Sequence, residues 1–283
     1  MADAQGEPFW GKVERQGADG LRFLPLASHC LDVAVVFRAL LELPVLRRRL
    51  ESAAGRPLYR AQVERLAVIA LLHDVGKANL GFQGKIFDPK APQIGHIGPL
   101  APLFTETILN QKLAAALNVD RLFSWFVLPE ALQGFLLASW SHHGKPVRFD
   151  PDDRTGDSRR WWQPDGNRDP FQAIAELTAA AREAFPAAFA ENVPPIPGVT
   201  RLQHRVAGLV MLADWAGSHQ AFFPLERPPR LRRPESRHQR RPRRWHRRVR
   251  HAGRTRQPSR AFREALRLPT TSLAGHTRRA RLR

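Results

Sequence analysis

Along most of this chain apolar residues recur at intervals of three and four, the spacing that turns one face of a helix toward a core. Leu31, Val35, Val36, Ala39, Leu40 and Leu43 form one such series, with Ser28 placed to cap it and Pro44 to stop it. Residues 60–75 are apolar almost all round, through Val63, Leu66, Ala67, Ile69, Ala70, Leu71 and Leu72, which marks a buried central helix. Further helices are predicted at about 99–117, at 129–142, at 170–185 and from Val199 to Gly217. In the second of these Leu132, Phe135, Leu136 and Ser139 track one face before Gly144-Lys145-Pro146 stops it. In the last, Leu202, Val206, Leu209, Val210 and Ala213 do the same. Residues 88–98 and 147–170 read as irregular loops, and Val193 to Gly198 as a Pro-rich linker. No strand pattern persists and no internal repeat is present, so the expectation is an all-α bundle.

Metal-capable side chains stand at or near the ends of several of these apolar runs. His73 and Asp74 stand at the buried end of the central helix, where a charge needs a metal or a hydrogen-bond network to compensate it. Together they offer an imidazole nitrogen and a carboxylate oxygen, a set suited to borderline or hard divalent metals. Alone, the pair equally fits a His closing a buried helix beside a capping Asp. Gly76 lets the chain turn, and Lys77 is close enough to pair with Asp74 or to meet a substrate phosphate. His29 lies in the first turn of the first helix, with Asp32 one turn on as an acceptor for its ring or as an ordinary acid near a helix N-terminus. His96 is delivered from a loop, His142 and His143 from a helix end, and Asp214 is an isolated acid on an apolar helix face. Of the eleven histidines, five occupy these places, four lie in a basic tail, and His204 and His219 flank Asp214. Trp161-Trp162, after Arg159-Arg160, reads either as a stacking platform for single-stranded bases or as a pair tucking a loop onto the core.

The ordered set, His29, then His73-Asp74-Val75-Gly76-Lys77 with Phe82-Gln83 shortly after, then His96, then His142-His143-Gly144-Lys145-Pro146, then Ala213-Asp214-Trp215-Ala216-Gly217-Ser218, resembles the HD nuclease domain of the type I CRISPR-associated nuclease-helicase. The resemblance covers residues 10 to 225. The wider HD phosphohydrolase superfamily shares only His29, His73, Asp74 and Asp214; His96 and the His142-His143 pair narrow the match. The family commonly carries Arg or Lys before the lone His and an acid after it, whereas here Gly95 and Ile97 flank His96. What the resemblance implies is an HD-domain helical bundle with a dinuclear centre. One divalent transition metal would be held by His29, His73, Asp74 and Asp214, the other by His96, His142 and His143, with Asp74 bridging. Manganese, iron, nickel or cobalt would serve, and magnesium is admissible. Asp74 and Lys77 would be catalytic, Lys77 by neutralising charge on phosphoryl oxygens. The implied activity is metal-dependent cleavage of single-stranded DNA, with a helicase driving the strand and an RNA-guided surveillance complex recruiting the enzyme. No Gly-x-x-x-x-Gly-Lys-Ser/Thr phosphate loop is present, so the helicase is expected on a separate polypeptide. Two rival readings stand beside this one. The first is an HD-family nucleotide phosphohydrolase, needing only the mononuclear set, and the second a truncated, non-catalytic nucleic-acid-binding remnant.

Charge divides the chain. Of 45 Lys and Arg, 21 lie in residues 226–283, all Arg, against three acids there, while the first 225 residues are nearly neutral. The expected division is an HD nuclease domain over 1–225 and a basic, disordered tail over 226–283. Arg240-Arg241-Pro242-Arg243-Arg244-Trp245 typifies a tail with too few aliphatics to fold alone. It reads either as an arm neutralising nucleic-acid phosphates or as an out-of-frame, truncated helicase start. The single cysteine, Cys30, excludes an intramolecular disulfide and fits a reducing interior. The acidic N-terminus lacks the apolar core of a signal peptide, and no uncharged apolar run reaches the roughly 18 residues of a membrane span. A soluble cytoplasmic protein with no membrane partner is expected.

Overall fold

The computed structural model of the chain describes residues 9–16, 20–86, 92–144, 147, 158–220 and 222–223. These residues form the expected helical bundle, with one addition at its start. Strands β1 (Trp10–Gln16) and β2 (Gly20–Pro25) pair antiparallel, from Trp10 opposite Pro25 to Gln16 opposite Gly20, with an irregularity between Trp10 and Lys12. The expectation of no strand is therefore corrected. A lone hairpin is marginal in water, and what holds this one comes from elsewhere in the chain. The Gln83 side chain accepts from Trp10 N and donates to Trp10 O, both at 2.9 Å, and Phe82 stacks on the Trp10 ring at 4.5 Å.

Helix α1 (Leu26–Leu40) follows directly. Ser28 does not cap it: the helix begins two residues earlier, because the carbonyl of Phe9 takes the Leu26 N–H at 2.7 Å, and Ser28 is buried inside the first turn. Next come α2 (Pro44–Ala54), α3 (Arg60–Leu71) and, after a 3-10 turn over Leu72–Ala78, α4 (Leu80–Gly84). The single helix expected at 99–117 is instead a 3-10 turn (Gly98–Leu100), α5 (Pro102–Thr105) and α6 (Thr107–Leu117). Pro99 and Pro102 lack amide donors, and Glu106 is extended (φ −104, ψ 115). α7 (Val119–Phe123), α8 (Pro129–Trp140), α9 (Pro170–Ala184) and α10 (Thr200–Gly217) complete the α-helices among the described residues.

α1 runs through the centre, with α3, α9 and α10 packed on it, and α8 and α2 flanking α10. Phe37, Leu66, Ile69, Leu71, Phe135, Ile174, Leu177 and Val210 are fully buried there, each worth about 1.5–3 kcal/mol of apolar transfer. α10 approaches α1 at Gly217, where a Cβ would lie 3.1 Å from both the nitrogen and the Cα of Val33. That close crossing brings Asp214, one turn earlier on α10, over the first turn of α1.

Of the tryptophan pair, Trp162 tucks its segment onto the core: it is fully buried and its indole N–H donates to Pro99 O at 2.6 Å. Trp161 remains half-buried. No helix among the described residues is long and apolar enough to cross a membrane. The Arg-rich segment 226–283 lies outside the described residues, as do Lys145 and Pro146 of the His-His motif.

Candidate metal centre

The site is built on the end of α3. The α-helix stops at Leu71, and within the following 3-10 turn Asp74 leaves helical geometry (φ −110, ψ 22). Consecutive helical side chains diverge by about 100°; this departure brings Asp74 Oδ2 to 3.1 Å from His73 Nε2. The change of winding frees carbonyls that a helix end must satisfy elsewhere, and α8 supplies the partners. Ser139 Oγ donates to Ile69 O at 2.9 Å, Trp140 Nε1 to Leu72 O at 2.8 Å, and His73 itself donates from Nδ1 to Ala70 O at 2.9 Å. Two residues past the end of α8 stands His142, whose Nδ1 faces Ser139 O at 2.9 Å. Both rings are thereby held in the tautomer that presents Nε2 inward.

All seven residues singled out as ligands converge, in two adjoining groups: His29, His73, Asp74 and Asp214, and His96, His142 and His143. Asp74 lies between them. Its Oδ2 is 2.9 Å from His29 Nε2 and 3.1 Å from His73 Nε2, while its Oδ1 is 3.5 Å from His96 Nε2 and 3.7 Å from His142 Nε2. Asp214 Oδ1 closes the first group at 3.7 Å from His29 and 3.6 Å from His73. In the second, the Nε2 atoms of His96 and His143 stand 3.1 Å apart. His29, His73, Asp74 and His142 are buried, whereas His143 is exposed and His96 and Asp214 partly so. His204 and His219 lie exposed on and just beyond α10, outside the site.

The chemistry of the cluster favours a cation. Burial holds the imidazoles of His29 and His142 down to about 4 and that of His96 to about 3, so their ring nitrogens carry lone pairs at neutral pH. His73 is the exception, pushed up to about 9: burial opposes its charge, but the Asp74 and Asp214 carboxylates outweigh it. The same balance lowers both carboxylates against burial, Asp74 through His73 and Lys77, Asp214 through His73. Lys77 Nζ sits 2.6 Å from Asp74 Oδ2 and donates to Gly11 O at 3.0 Å, so of its two expected partners the structure shows the carboxylate. Among the described residues, His73 Nε2, His142 Nε2 and Asp74 Oδ1 are buried without a hydrogen-bond partner. Buried ring nitrogens and a carboxylate oxygen without hydrogen-bond partners, converging from two segments, fit a metal ion, and the imidazole-carboxylate donor set suits a transition metal.

Asp32 is not the orienting acceptor considered for His29, whose Nδ1 has no hydrogen-bond partner among the described residues. Gly76 is not a left-handed turn residue either. It serves close approach, because a Cβ there would stand 1.8 Å from the His96 carbonyl oxygen. Asn79, which sequence reasoning passed over, holds that approach: its amide donates to Gly76 O at 2.7 Å and Gly95 O at 3.1 Å, while its oxygen caps α4 through Phe82 N. Its place just before Leu80-Gly81-Phe82 was the available signal. Ser218, four residues after Asp214, donates to Asp214 Oδ1 at 3.0 Å, and Lys12 donates to Ser218 O at 2.7 Å.

A helical bundle that converges five histidines and two aspartates on one point, with an adjacent His-Asp pair at its centre, is an HD-type domain. The chain belongs to the Cas3 HD domain family, whose model ("Cas3, HD domain") matches residues 10–223. This is the family anticipated from the motif order. No curated protein matches the chain. Among solved structures, one described as a CRISPR-associated protein is 22% identical with a TM-score of 0.52, covering 92% of this chain and 26% of its own. T. fusca Cas3 with ATP is 21% identical with a TM-score of 0.50, covering 76% and 23%. The Thermus thermophilus Cas3 HD domain, crystallised in the presence of Ni2+, is 22% identical with a TM-score of 0.48, covering 81% and 82%. At these identities the likeness to the first two is one of fold alone. The chain spans about a quarter of the length of the first and of the T. fusca protein.

Proposed function

We propose that this chain is a metal-dependent nuclease of a type I CRISPR interference system, hydrolysing phosphodiesters of single-stranded DNA at a dinuclear centre. The observation that carries this reading is Asp74, a buried carboxylate with one oxygen turned to each of two histidine groups. His29, His73, Asp214 and Asp74 Oδ2 would hold one divalent transition metal, and His96, His142, His143 and Asp74 Oδ1 the other. Manganese, iron, nickel or cobalt suits the donors, with magnesium admissible. Such a pair, when bound, activates a water and stabilises both the attacking and the leaving oxygen of a phosphodiester.

The chain's own residues prepare that chemistry. The backbone carbonyls of Ala70 and Ser139 fix the tautomers of His73 and His142, and Ser218 holds the Asp214 carboxylate. Lys77, beside Asp74, supplies positive charge for the phosphoryl oxygens. His96, His143 and Asp214, the exposed members, mark the side from which a strand enters. A helicase and an RNA-guided surveillance complex would deliver it. A nucleotide phosphohydrolase would need only the first group and leaves His96, His142 and His143 unaccounted for.

The test is cleavage of circular single-stranded DNA by the full chain with manganese, nickel, cobalt or iron, beside Asp74→Ala. Metal-dependent cutting lost in the variant is expected. A folded wild type that cuts with none of these metals would refute the reading.

A further inference from the structure

The segment just before α9 carries two adjacent tryptophans with different surroundings. Trp162 does the anchoring, fully buried and hydrogen-bonded to Pro99 O. Trp161 is half-buried, and the Arg160 guanidinium lies 4.3 Å from its ring centroid. Its indole lies against α4 at Gly81, where a Cβ would meet Trp161 Cδ2 and Ile94 Cγ1, both at 2.8 Å. Any larger residue at 81 would push the ring off the helix.

That position is on the rim of the metal centre. Ile94 is two residues before His96, a span of at most about 7 Å of chain. Phe82, next to Gly81, has its ring 5.6 Å from that of His96, and Lys85 lies 4.4 Å from the Phe82 centroid. An aromatic plane, a guanidinium stacked on it and a neighbouring ammonium therefore line the His96 approach. Aromatic side chains and guanidinium planes both stack on unpaired bases, and cations track the phosphates between them.

We infer that Trp161, with Arg160 against its ring, is a base-stacking subsite for single-stranded DNA on the His96 side of the metal centre. The inference rests on the nuclease reading above and adds to it where a base sits. The base stacks on the accessible part of the indole, and Lys85 meets the adjoining phosphate. Stacking is indifferent to base identity, so the subsite favours single strands without selecting a sequence.

The test compares an ordinary single-stranded oligonucleotide with one of equal length made of abasic residues, bound to the 283-residue chain. Phosphate contacts, those of the Arg-rich segment included, are common to both probes, so the difference isolates stacking. The wild type should bind the base-bearing strand about 5- to 150-fold more tightly. Trp161→Ala should lose most of that preference and Trp161→Phe keep part of it, with the amount of metal bound unchanged in both. A Trp161→Ala protein that keeps the preference, or a wild type that cuts DNA yet has none, overturns the subsite while leaving the nuclease reading intact. A wild type that neither cuts nor binds single strands overturns both.

Discussion

Replacing Gly76 with Ala should remove one metal equivalent while leaving the other in place. The backbone there is not left-handed, so an alanine could adopt it without strain. What it cannot avoid is the His96 carbonyl oxygen, 1.8 Å from the new Cβ, with the carbonyl carbon at 2.9 Å. Restoring a normal C···O separation requires the two segments to part by about 1.5 Å. Asn79, bonded to both Gly76 O and Gly95 O, resists that parting, so the strain falls on the loop that delivers His96. Metal-ligand distances tolerate only about 0.2 Å of error, and His96 Nε2 would leave its position near Asp74 Oδ1 and His143. Overpacking of this kind costs about 1–3 kcal/mol of stability. The group of His29, His73 and Asp214 is not touched by the new atom. Titration calorimetry with manganese or nickel, with the bound metal counted after gel filtration, should therefore read two equivalents for the wild type and one for Gly76→Ala. His96→Ala should give the same count with less loss of melting temperature. A Gly76→Ala protein that binds two equivalents with wild-type affinity would refute the reasoning.

Ser218→Ala removes the hydroxyl that holds Asp214 Oδ1; metal affinity should fall by about 10- to 100-fold, as for other outer-shell partners, with Ser218→Thr restoring it in the same calorimetric assay. The metal-free protein should be most stable near pH 6.5, read as melting temperature against pH in chelator. Below that, His29, His96 and His142, with folded pKa values of about 4, 3 and 4, leave the unfolded chain holding more protons, so stability is lost as pH falls from about 6.5 toward 4. Above it, His73, raised to about 9, keeps a proton only when folded, so its contribution is full below about 6.5 and gone by about 9. Metal binding at His73 must expel that proton, so apparent affinity should climb about tenfold per pH unit between 6.5 and 8; an affinity flat with pH would refute the raised His73 pKa or its ligation of the metal.

Helices such as α8, α9 and α10 were legible in the sequence because apolar side chains at three- and four-residue spacing settle which face is buried, and Pro and Gly mark their ends. The chemistry-bearing residues were legible for a related reason: a His or Asp on an apolar run is costly to bury, so each stands out where it occurs. Periodicity could not group them. Which histidines belong with Asp214 and which with His143 followed from family resemblance, and the spatial grouping follows from helix ends that are far apart in sequence. The hairpin escaped notice because Gln83, about 70 residues away, holds it in place.

What the sequence by itself determined is the all-α class, the positions of the main helices and the inventory of metal-capable side chains, since these depend on local pattern and on the cost of burying polar groups. Tertiary structure alone decided that the chain after Leu71 winds as a 3-10 turn, because the bonds that satisfy the freed carbonyls come from Ser139 and Trp140 on another helix. It also decided that His96 arrives from its loop by resting on Gly76, and that Asp214 reaches the site because α10 crosses α1 at Gly217. Each is a contact between segments distant in sequence, which no local pattern encodes.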